Sequence, residues 1–277
     1  MDNKQERPTD LKDSMRQHFS TISSAQRKWW PVLEELNQPV SDHLVEIARI
    51  EPGHRVLDIG TGIGEPALTA ARVVGAKGFV AGVDLAPEMI AVARQRAEKS
   101  GLANIEFYLG DAEALNLPPL SFDAVLSRFA INLMPDIVSA LQGMRALLLP
   151  GGRMAAAVLG TPEKQPSRMF MLRAIEDVLG PDYLVPMNPR DEEYFERVLS
   201  RAGYINVSVE TVTSSYAYAS LDDFIVMSMD LDLTATANPQ ARDALYESLR
   251  RSLWDFQSQD GRVTLVSENI FVVGTSA

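Results

Sequence analysis

The chain of 277 residues contains no cysteine and only three histidines, and both shortages limit its chemistry. Without cysteine it can form neither disulfide bonds nor thiolate metal ligands, and it has no cysteine nucleophile. His18, His43 and His54 are far apart in the sequence and lack the H-E-x-x-H spacing of a zinc site. These shortages exclude thiol chemistry and argue against a histidine-based metal centre.

Positive charge and long apolar runs are also scarce. The chain has 26 Lys and Arg against 37 Asp and Glu, a formal net charge of −11, whereas nucleic-acid binding relies on dense Lys and Arg. No apolar run approaches the roughly 20 residues of a membrane span, and the polar N-terminal residues do not resemble a signal peptide. We therefore expect a cytoplasmic protein, monomeric or homodimeric, with a small-molecule substrate and no nucleic-acid partner.

Three closely spaced glycines stand out in the sequence RVLDIGTGIGEP at residues 55–66, which predicts a buried strand, a tight turn and the start of a helix. Gly60 and Gly62 let a ligand approach the backbone because they have no Cβ atom. Glu65 occupies the third-glycine position of the dinucleotide fingerprint, where it would repel a pyrophosphate, and the phosphate-binding motif G-x-x-x-x-G-K-[ST] is absent. Together with Asp58, Glu65 favours a ligand that has an ammonium group and no phosphate, such as S-adenosylmethionine.

Predicted strands and helices alternate between residues 55 and 159, which indicates a parallel sheet with helices on both faces. The order is strand 55–59, helix 66–74, strand 79–83, helix 87–100, strand 105–109, strand 123–127, helix 135–149 and strand 153–159. Residues 8–50 are predicted to form two helices, separated at Trp29-Trp30-Pro31.

The chain divides into three predicted parts. Residues 1–53 form an N-terminal helical arm or lid, residues 54–160 a cofactor-binding core, and residues 161–277 the rest of the sheet with an inserted helical cap. The remaining strands are expected at 204–218 and 262–274, and the cap at 161–189 and 220–258, with breaks near Gly180-Pro181, Pro186 to Pro189 and Asn238-Pro239. The cap helices could cover a substrate or form a dimer surface.

Acidic residues follow three successive predicted strands. Asp58, Asp84 and Asp111 should lie close together, because the carboxyl ends of parallel strands meet at one edge of the sheet. Asp84 could accept hydrogen bonds from ribose hydroxyls, and Asp111 could accept one from an adenine amino group. Apolar walls for the ring are available nearby in Leu85, Met89 and Ala112.

These motifs resemble those of the class I S-adenosylmethionine-dependent methyltransferases, most closely the branch of the ubiquinone/menaquinone-biosynthesis methyltransferases. The resemblance is carried by VLDIGTGIGEPAL, GVDLAPEMI, GDAEALNLP, SFDAVLSRFAINLMPD and LLLPGGRMA, and is close over residues 50–160. It implies a Rossmann-like, seven-stranded, mostly parallel sheet with an antiparallel last strand, accompanied by the N-terminal helical arm and the cap in the C-terminal half.

The resemblance also implies S-adenosylmethionine as the cofactor and indicates which residues bind it. The glycine turn with Asp58 would hold the methionine part, Asp84 the ribose and Asp111 the adenine, while Ser127 would lie near the sulfonium. The full set of expected cofactor-binding residues is Asp58, Gly60, Thr61, Gly62, Asp84, Leu85, Met89, Gly110, Asp111, Ala112 and Ser127.

His18 and Arg128 are the candidate catalytic residues. His18, on the N-terminal arm, could act as a general base or could be an ordinary surface histidine. Arg128, after the fourth strand, could bind an anionic group or form an ion pair with a nearby acid. Substrate contacts are expected from Phe19, Trp29, Trp30, Arg128 and Asn132, the last of which replaces a histidine found in many relatives.

The expected activity is O- or C-methylation of an apolar or aromatic metabolite. The alternative is a non-catalytic module that binds S-adenosylmethionine or partners a methyltransferase. A nicotinamide oxidoreductase is disfavoured by Glu65.

Overall fold

A computed structural model describes residues 8–115, 121–183, 190–232, 235 and 238–277. Its seven strands are β1 (Arg55–Ile59), β2 (Phe79–Asp84), β3 (Ile105–Leu109), β4 (Phe122–Arg128), β5 (Leu148–Leu159), β6 (Ile205–Tyr218) and β7 (Val263–Thr275). They form one sheet in the order β3-β2-β1-β4-β5-β7-β6.

Strands β1 to β5 run parallel to one another, whereas β7 is antiparallel to both of its neighbours, β5 and β6. The predicted Rossmann-like, mostly parallel sheet with an antiparallel last strand is therefore confirmed. The strand order changes direction between β1 and β4, and open α/β sheets bind ligands at such a switch point, beyond the carboxyl ends of the strands.

Eight longer helices accompany the sheet in the described residues. They are α1 (Pro8–Ile47), α2 (Ala67–Val74), α3 (Pro87–Lys99), α4 (Ile137–Leu147), α5 (Pro166–Leu179), α6 (Glu192–Arg201), α7 (Leu221–Leu231) and α8 (Arg242–Leu253). The break expected around Pro186 to Pro189 lies outside the residues that the structure describes.

The predicted break in the N-terminal helix is wrong. Helix α1 continues through Trp29, Trp30 and Pro31 and also through Pro39. A proline inside a helix costs about 3 kcal/mol, but both tryptophans are held by partners outside α1. The Trp29 indole donates to Asp230 at 2.9 Å, and the Trp30 ring lies 4.1 Å from a guanidinium of α3. Packing along the whole helix therefore outweighs the local penalty.

Strand β5 also begins earlier than predicted. Leu148 pairs with Phe122, and the register shifts before Arg153 pairs with Ala124. The sequence Pro150-Gly151-Gly152, which is typical of a turn, thus lies within the irregular first part of the strand.

The hydrophobic core lies on both faces of the sheet. Leu57 and Ile59 of β1 are buried on one face and Val56 on the other, because successive strand residues point to opposite faces. A third cluster forms where α5, α7 and α8 pack together, and we call these three the cap helices. Residues of α1 pack against that cluster, namely Trp29, Val32 and Leu33. Helix α1 thus joins the sheet to the cap helices.

None of the helices in the described ranges combines the length and the hydropathy needed to cross a membrane.

Candidate functional site

A cavity of about 450 Å³ lies at the carboxyl ends of the central strands. Its sheet-edge residues follow β1, β2 and β3, and include Gly60, Thr61, Gly62, Asp84, Leu85, Met89, Gly110, Asp111 and Ala112. Its cap-side residues come from α1, the segment after β4, the end of β5, α5 and α7, and include His18, Phe19, Ile22, Leu33, Leu133, Met134, Leu159, Arg168 and Leu231. One space therefore connects the glycine turn with an apolar wall.

The two glycines of the turn serve different purposes. Both have positive φ angles, +69° at Gly60 and +53° at Gly62, which glycine adopts without strain. A Cβ atom on Gly60 would lie 2.3 Å from the Cβ of Ala130, so this position must be small for packing. A Cβ on Gly62 would meet nothing within 4 Å, which leaves its backbone open to a ligand.

Asp84 connects the end of β2 to the glycine turn. Its Oδ2 accepts a hydrogen bond from the Gly62 N–H at 2.9 Å, and its Oδ1 accepts one from the Ala86 N–H at 2.9 Å. Burial raises the pKa of Asp84, opposed by these backbone donors. Each carboxylate oxygen has a second lone pair, so Asp84 can hold the turn and still accept hydrogen bonds from a ligand.

Asp58 lies behind the turn and does not line the cavity. It is fully buried, and its Oδ2 accepts a hydrogen bond from the Ala67 N–H at 3.2 Å. Burial raises its pKa from 3.8 to about 7, opposed by the Thr61 hydroxyl and the Arg128 guanidinium. Asp58 therefore anchors the start of α2 under the turn, and Glu65 is the acid of this motif that reaches the cavity wall.

Glu65 and Arg96 form a buried charged pair at this wall. Glu65 Oε1 lies 3.8 Å from Nη2 of Arg96, which is also 3.0 Å from Oε1 of Glu34 on α1. The Arg96 Nη1 donates to the Ile63 carbonyl at 2.8 Å. Within the described part of the chain, Glu65 Oε1 is buried and has no hydrogen-bond partner. Unsatisfied buried acceptors are rare in proteins, so this oxygen can still accept from a ligand donor, although Nη1 of Arg72 lies 3.7 Å from it.

Arg128 lines the cavity from the end of β4. Its Nη1 donates to the Ser41 hydroxyl at 2.8 Å and to the Asn37 carbonyl at 3.4 Å, both on α1. Burial lowers its pKa, an effect opposed by Glu65 and Asp58. The guanidinium thus attaches α1 to the sheet edge, and Arg128 also contributes to the cavity lining.

His18 and Phe19 contribute to the cavity from α1. Their rings pack edge to face with centroids 4.8 Å apart. The Nδ1 of His18 is buried and has no hydrogen-bond partner among the described residues. Burial lowers the pKa of His18, with Asp232 opposing the shift. The imidazole is therefore neutral near pH 7 and can accept a proton.

Four further predicted residues lie outside the cavity lining. The Ser127 hydroxyl is buried and donates to the Ile59 carbonyl at 3.0 Å. Trp29 binds Asp230, and Trp30 packs on Arg96. Asn132 contributes its carbonyl, which accepts a hydrogen bond from Arg190 at 2.8 Å. The structure thus brings most of the predicted site together and gives these four residues other contacts.

Sequence reasoning missed several residues that line the cavity. They include Ile22, Gln26, Leu33, Glu34, Asn37, Arg96, Phe129, Leu133, Met134, Leu159, Arg168 and Leu231. Phe129 directly follows β4 and has a positive φ of 61°, which is uncommon for a bulky residue and frequent at functional sites. Its position after a strand end was a usable signal, as it was for Leu133, Met134 and Leu159, whereas the residues on α1, α3, α5 and α7 depend on how the helices pack.

A sheet of this order, with a ligand-sized cavity over the ends of β1, β2 and β3, defines a Rossmann-like nucleotide-cofactor fold. Among known proteins, residues 50–179 match a family model described as a methyltransferase domain. The predicted resemblance to the class I S-adenosylmethionine-dependent methyltransferases is therefore confirmed, and with it S-adenosylmethionine is supported as the cofactor.

Two curated relatives illustrate the likeness. Aklanonic acid methyltransferase DauC of Streptomyces sp. (strain C5) is 42% identical over 121 residues, which is 44% of this chain and 55% of DauC. Ubiquinone/menaquinone biosynthesis C-methyltransferase UbiE of Shewanella frigidimarina is 27% identical over 187 residues, 62% of this chain and 74% of UbiE. The chain spans about half the length, or less, of the relatives that it matches at more than 30% identity.

The fold is shared with solved structures. A SAM-dependent methyltransferase from Aquifex aeolicus superposes with a TM-score of 0.56 at 16% identity, covering 92% of this chain and 98% of that chain. At such low identity this similarity supports the fold alone.

Proposed function

We propose that this protein is an S-adenosylmethionine-dependent methyltransferase that acts on a small apolar or aromatic metabolite by O- or C-methylation. The observation that carries the proposal is the continuity of the cavity. The predicted cofactor residues of the glycine turn and of β2 and β3 open into the same space as the apolar residues of α1 and the cap helices.

The residues present fit this cofactor. Gly62 leaves open space where a side chain would stand, and Glu65 offers a buried, unsatisfied oxygen to an ammonium group. Asp84 has lone pairs for ribose hydroxyls, and Asp111 with Ala112 lines the place expected for adenine. When bound, S-adenosylmethionine supplies a methyl group attached to a sulfonium cation.

The protein contributes to the reaction by positioning the acceptor next to the cofactor and by excluding water from the cavity. Helix α1 and the cap helices cover the cavity, and the acceptor would lie against Phe19, Leu133 and Leu231. Neutral His18 could take a proton from a hydroxyl acceptor, which makes it the general base in this scheme. Arg128 would hold α1 in place through Ser41 and face the cofactor end of the cavity.

Two of the curated relatives, DauC and UbiE, support this choice of acceptor class. The names of DauC and UbiE indicate that these proteins methylate aklanonic acid and an intermediate of ubiquinone or menaquinone biosynthesis. UbiE is described as a C-methyltransferase. A small acceptor also suits a cavity of about 450 Å³, of which the cofactor would fill a large part.

The test is transfer of a labelled methyl group from S-adenosylmethionine to a panel of phenols, naphthols, aromatic carboxylic acids and amines. We expect labelled product with at least one apolar aromatic hydroxyl or acid, and none with protein lacking Asp84. A chain that binds the cofactor but labels no acceptor in a broad panel would favour the non-catalytic binding module.

A further inference from the structure

The cap-side wall of the cavity is mostly apolar and carries two basic side chains, and its other polar residues are Gln26, Glu34 and Asn37 of α1. Arg168 reaches it from α5, and His18 reaches it from α1. The neighbouring wall residues are Phe19, Ile22, Leu133, Met134, Leu159 and Leu231. A cation on a mostly apolar wall favours a ligand that is apolar over most of its surface and anionic at one point.

Asp232, at the end of α7, interacts electrostatically with both basic residues. Its Oδ1 accepts a hydrogen bond from the Ala235 N–H at 2.9 Å, which fixes the carboxylate in place. Desolvation at the cavity lowers the pKa of both His18 and Arg168, with Asp232 opposing each shift, although the Arg168 residue as a whole keeps an exposed surface. With His18 neutral, the charges of Arg168 and Asp232 balance each other at this wall before the acceptor enters.

We propose that the methyl acceptor carries an acidic hydroxyl, as in a carboxylic acid, phenol or enol, and that Arg168 selects it by binding the oxyanion. This inference rests on the proposed function, because it assigns the acceptor of the same site. Arg168 is a specificity residue in this scheme, and His18 is the base that releases the oxyanion.

The charges remain balanced through the transfer. The hydroxyl proton passes to the imidazole of His18, which becomes cationic while the acceptor becomes anionic next to Arg168. The acceptor atom then takes the methyl group, and the bonding electron pair stays on the sulfur that released it. For a carboxylic acid the product is a methyl ester, whereas a phenolate or enolate can also be methylated at the adjacent carbon. A protonated amine would instead be repelled by Arg168.

The test compares three probes of similar shape and different charge: 2-naphthoate, its neutral methyl ester, and 2-naphthylmethylammonium. Each is titrated by calorimetry into the full chain saturated with S-adenosylhomocysteine. We expect 2-naphthoate to bind about 10-fold to 100-fold more tightly than the other two, because hydrogen bonds to charged groups are the stronger class. Arg168→Gln should remove this preference, and Arg168→Lys should keep part of it.

The matched control is Arg173→Gln, since Arg173 is exposed on the same helix and does not line the cavity. It should bind all three probes as the wild type does. Every variant is also titrated with S-adenosylhomocysteine alone, and its affinity should stay unchanged in Arg168→Gln.

Three results would overturn the inference: no binding of 2-naphthoate to the cofactor-bound chain, equal affinities for the three probes, or an unchanged preference in Arg168→Gln. A loss of S-adenosylhomocysteine affinity in Arg168→Gln would also overturn it, because Arg168 would then act on the cofactor. Failure of the wild-type chain to bind S-adenosylhomocysteine at all would instead reject the proposed function.

Discussion

Asp58 is the residue whose environment differs most from that suggested by its place in the motif. The resemblance implies a cofactor contact, but the carboxyl is fully buried behind the glycine turn and its pKa is raised to about 7. The folded chain thus keeps this proton to a higher pH than the unfolded chain, whose value is near 3.8. Stability should therefore fall as the pH rises from about 4 to about 7, and should remain reduced above that.

We predict that Asp58→Asn gains stability over the wild type at pH 8 by a few kcal/mol, on the basis of about 1.4 kcal/mol per unit of pKa. The asparagine carbonyl can still accept from the Ala67 N–H, so the turn keeps its anchor. Denaturant unfolding of both proteins at pH 4.5 and pH 8 measures the difference, with exposed Asp177→Asn as the control. A gain that is the same at both pH values would show that the charge of Asp58 is not responsible.

His18 gives the second prediction at the scale of a residue. Its pKa is lowered by burial, opposed by Asp232, so it is deprotonated at neutral pH and becomes protonated in acid. The kcat/KM for an acidic acceptor should therefore decline on the acid side, with a midpoint below the ordinary histidine value of 6.5. His18→Gln should lower kcat by about 10²- to 10⁴-fold and abolish this acid limb. If kcat/KM still declines at low pH in His18→Gln, the group that titrates is not His18.

The glycine turn is the element whose form follows most directly from its sequence. We predict that Gly60→Ala and Gly62→Ala affect different properties. Both place alanine at a positive φ, but only Gly60→Ala also drives its Cβ to 2.3 Å from Ala130. Gly60→Ala should cost more than 2 kcal/mol of unfolding free energy, and Gly62→Ala roughly 1 kcal/mol. Equal losses of stability in the two variants would contradict this account of the turn.

Gly62→Ala should nevertheless weaken S-adenosylhomocysteine binding by about 10-fold or more, because its methyl group would occupy the space left for the ligand. Titration calorimetry measures this change at a temperature where the variant is fully folded. An affinity equal to that of the wild type would place the cofactor away from Gly62.

Helix α1 is the element on which local sequence signals failed. Its attachment to the cap helices passes through Asp230, which accepts from Lys28 and Trp29 of α1 at 2.9 Å each and from Arg242 of α8 at 2.7 Å. We predict that Asp230→Ala lowers the unfolding free energy by about 1–3 kcal/mol and weakens acceptor binding, because α1 is no longer held against α7 and α8. Hydrogen exchange along α1 measures the loosening, and unchanged protection there would contradict it.

For the whole molecule, the sheet and the cofactor edge could be predicted because their signals are local. A strand, a glycine turn and an acid lie within about ten residues of one another in RVLDIGTGIGEP, and parallel topology brings the successive acids together. Arg168 and Leu231 could not be predicted as cavity residues, because they reach it only through the packing of α5 and α7 on α1. Helix packing also explains why the prediction for Trp29 differed from the structure. Its aromatic ring indicated a substrate contact, but its indole N–H binds Asp230 and holds α1 against α7.

We propose that the cavity at the sheet edge binds S-adenosylmethionine and that Asp84 contacts it directly. Calorimetric titration of the full chain with S-adenosylhomocysteine tests this proposal. The wild type is compared with Asp84→Ala and with a control, Asp177→Ala, whose residue is exposed on α5. We predict one site in the wild type and in the control, and an affinity at least about 100-fold weaker in Asp84→Ala, because two hydrogen bonds to a charged acceptor are lost. Absence of binding to the wild type, or equal binding by Asp84→Ala, would contradict the account.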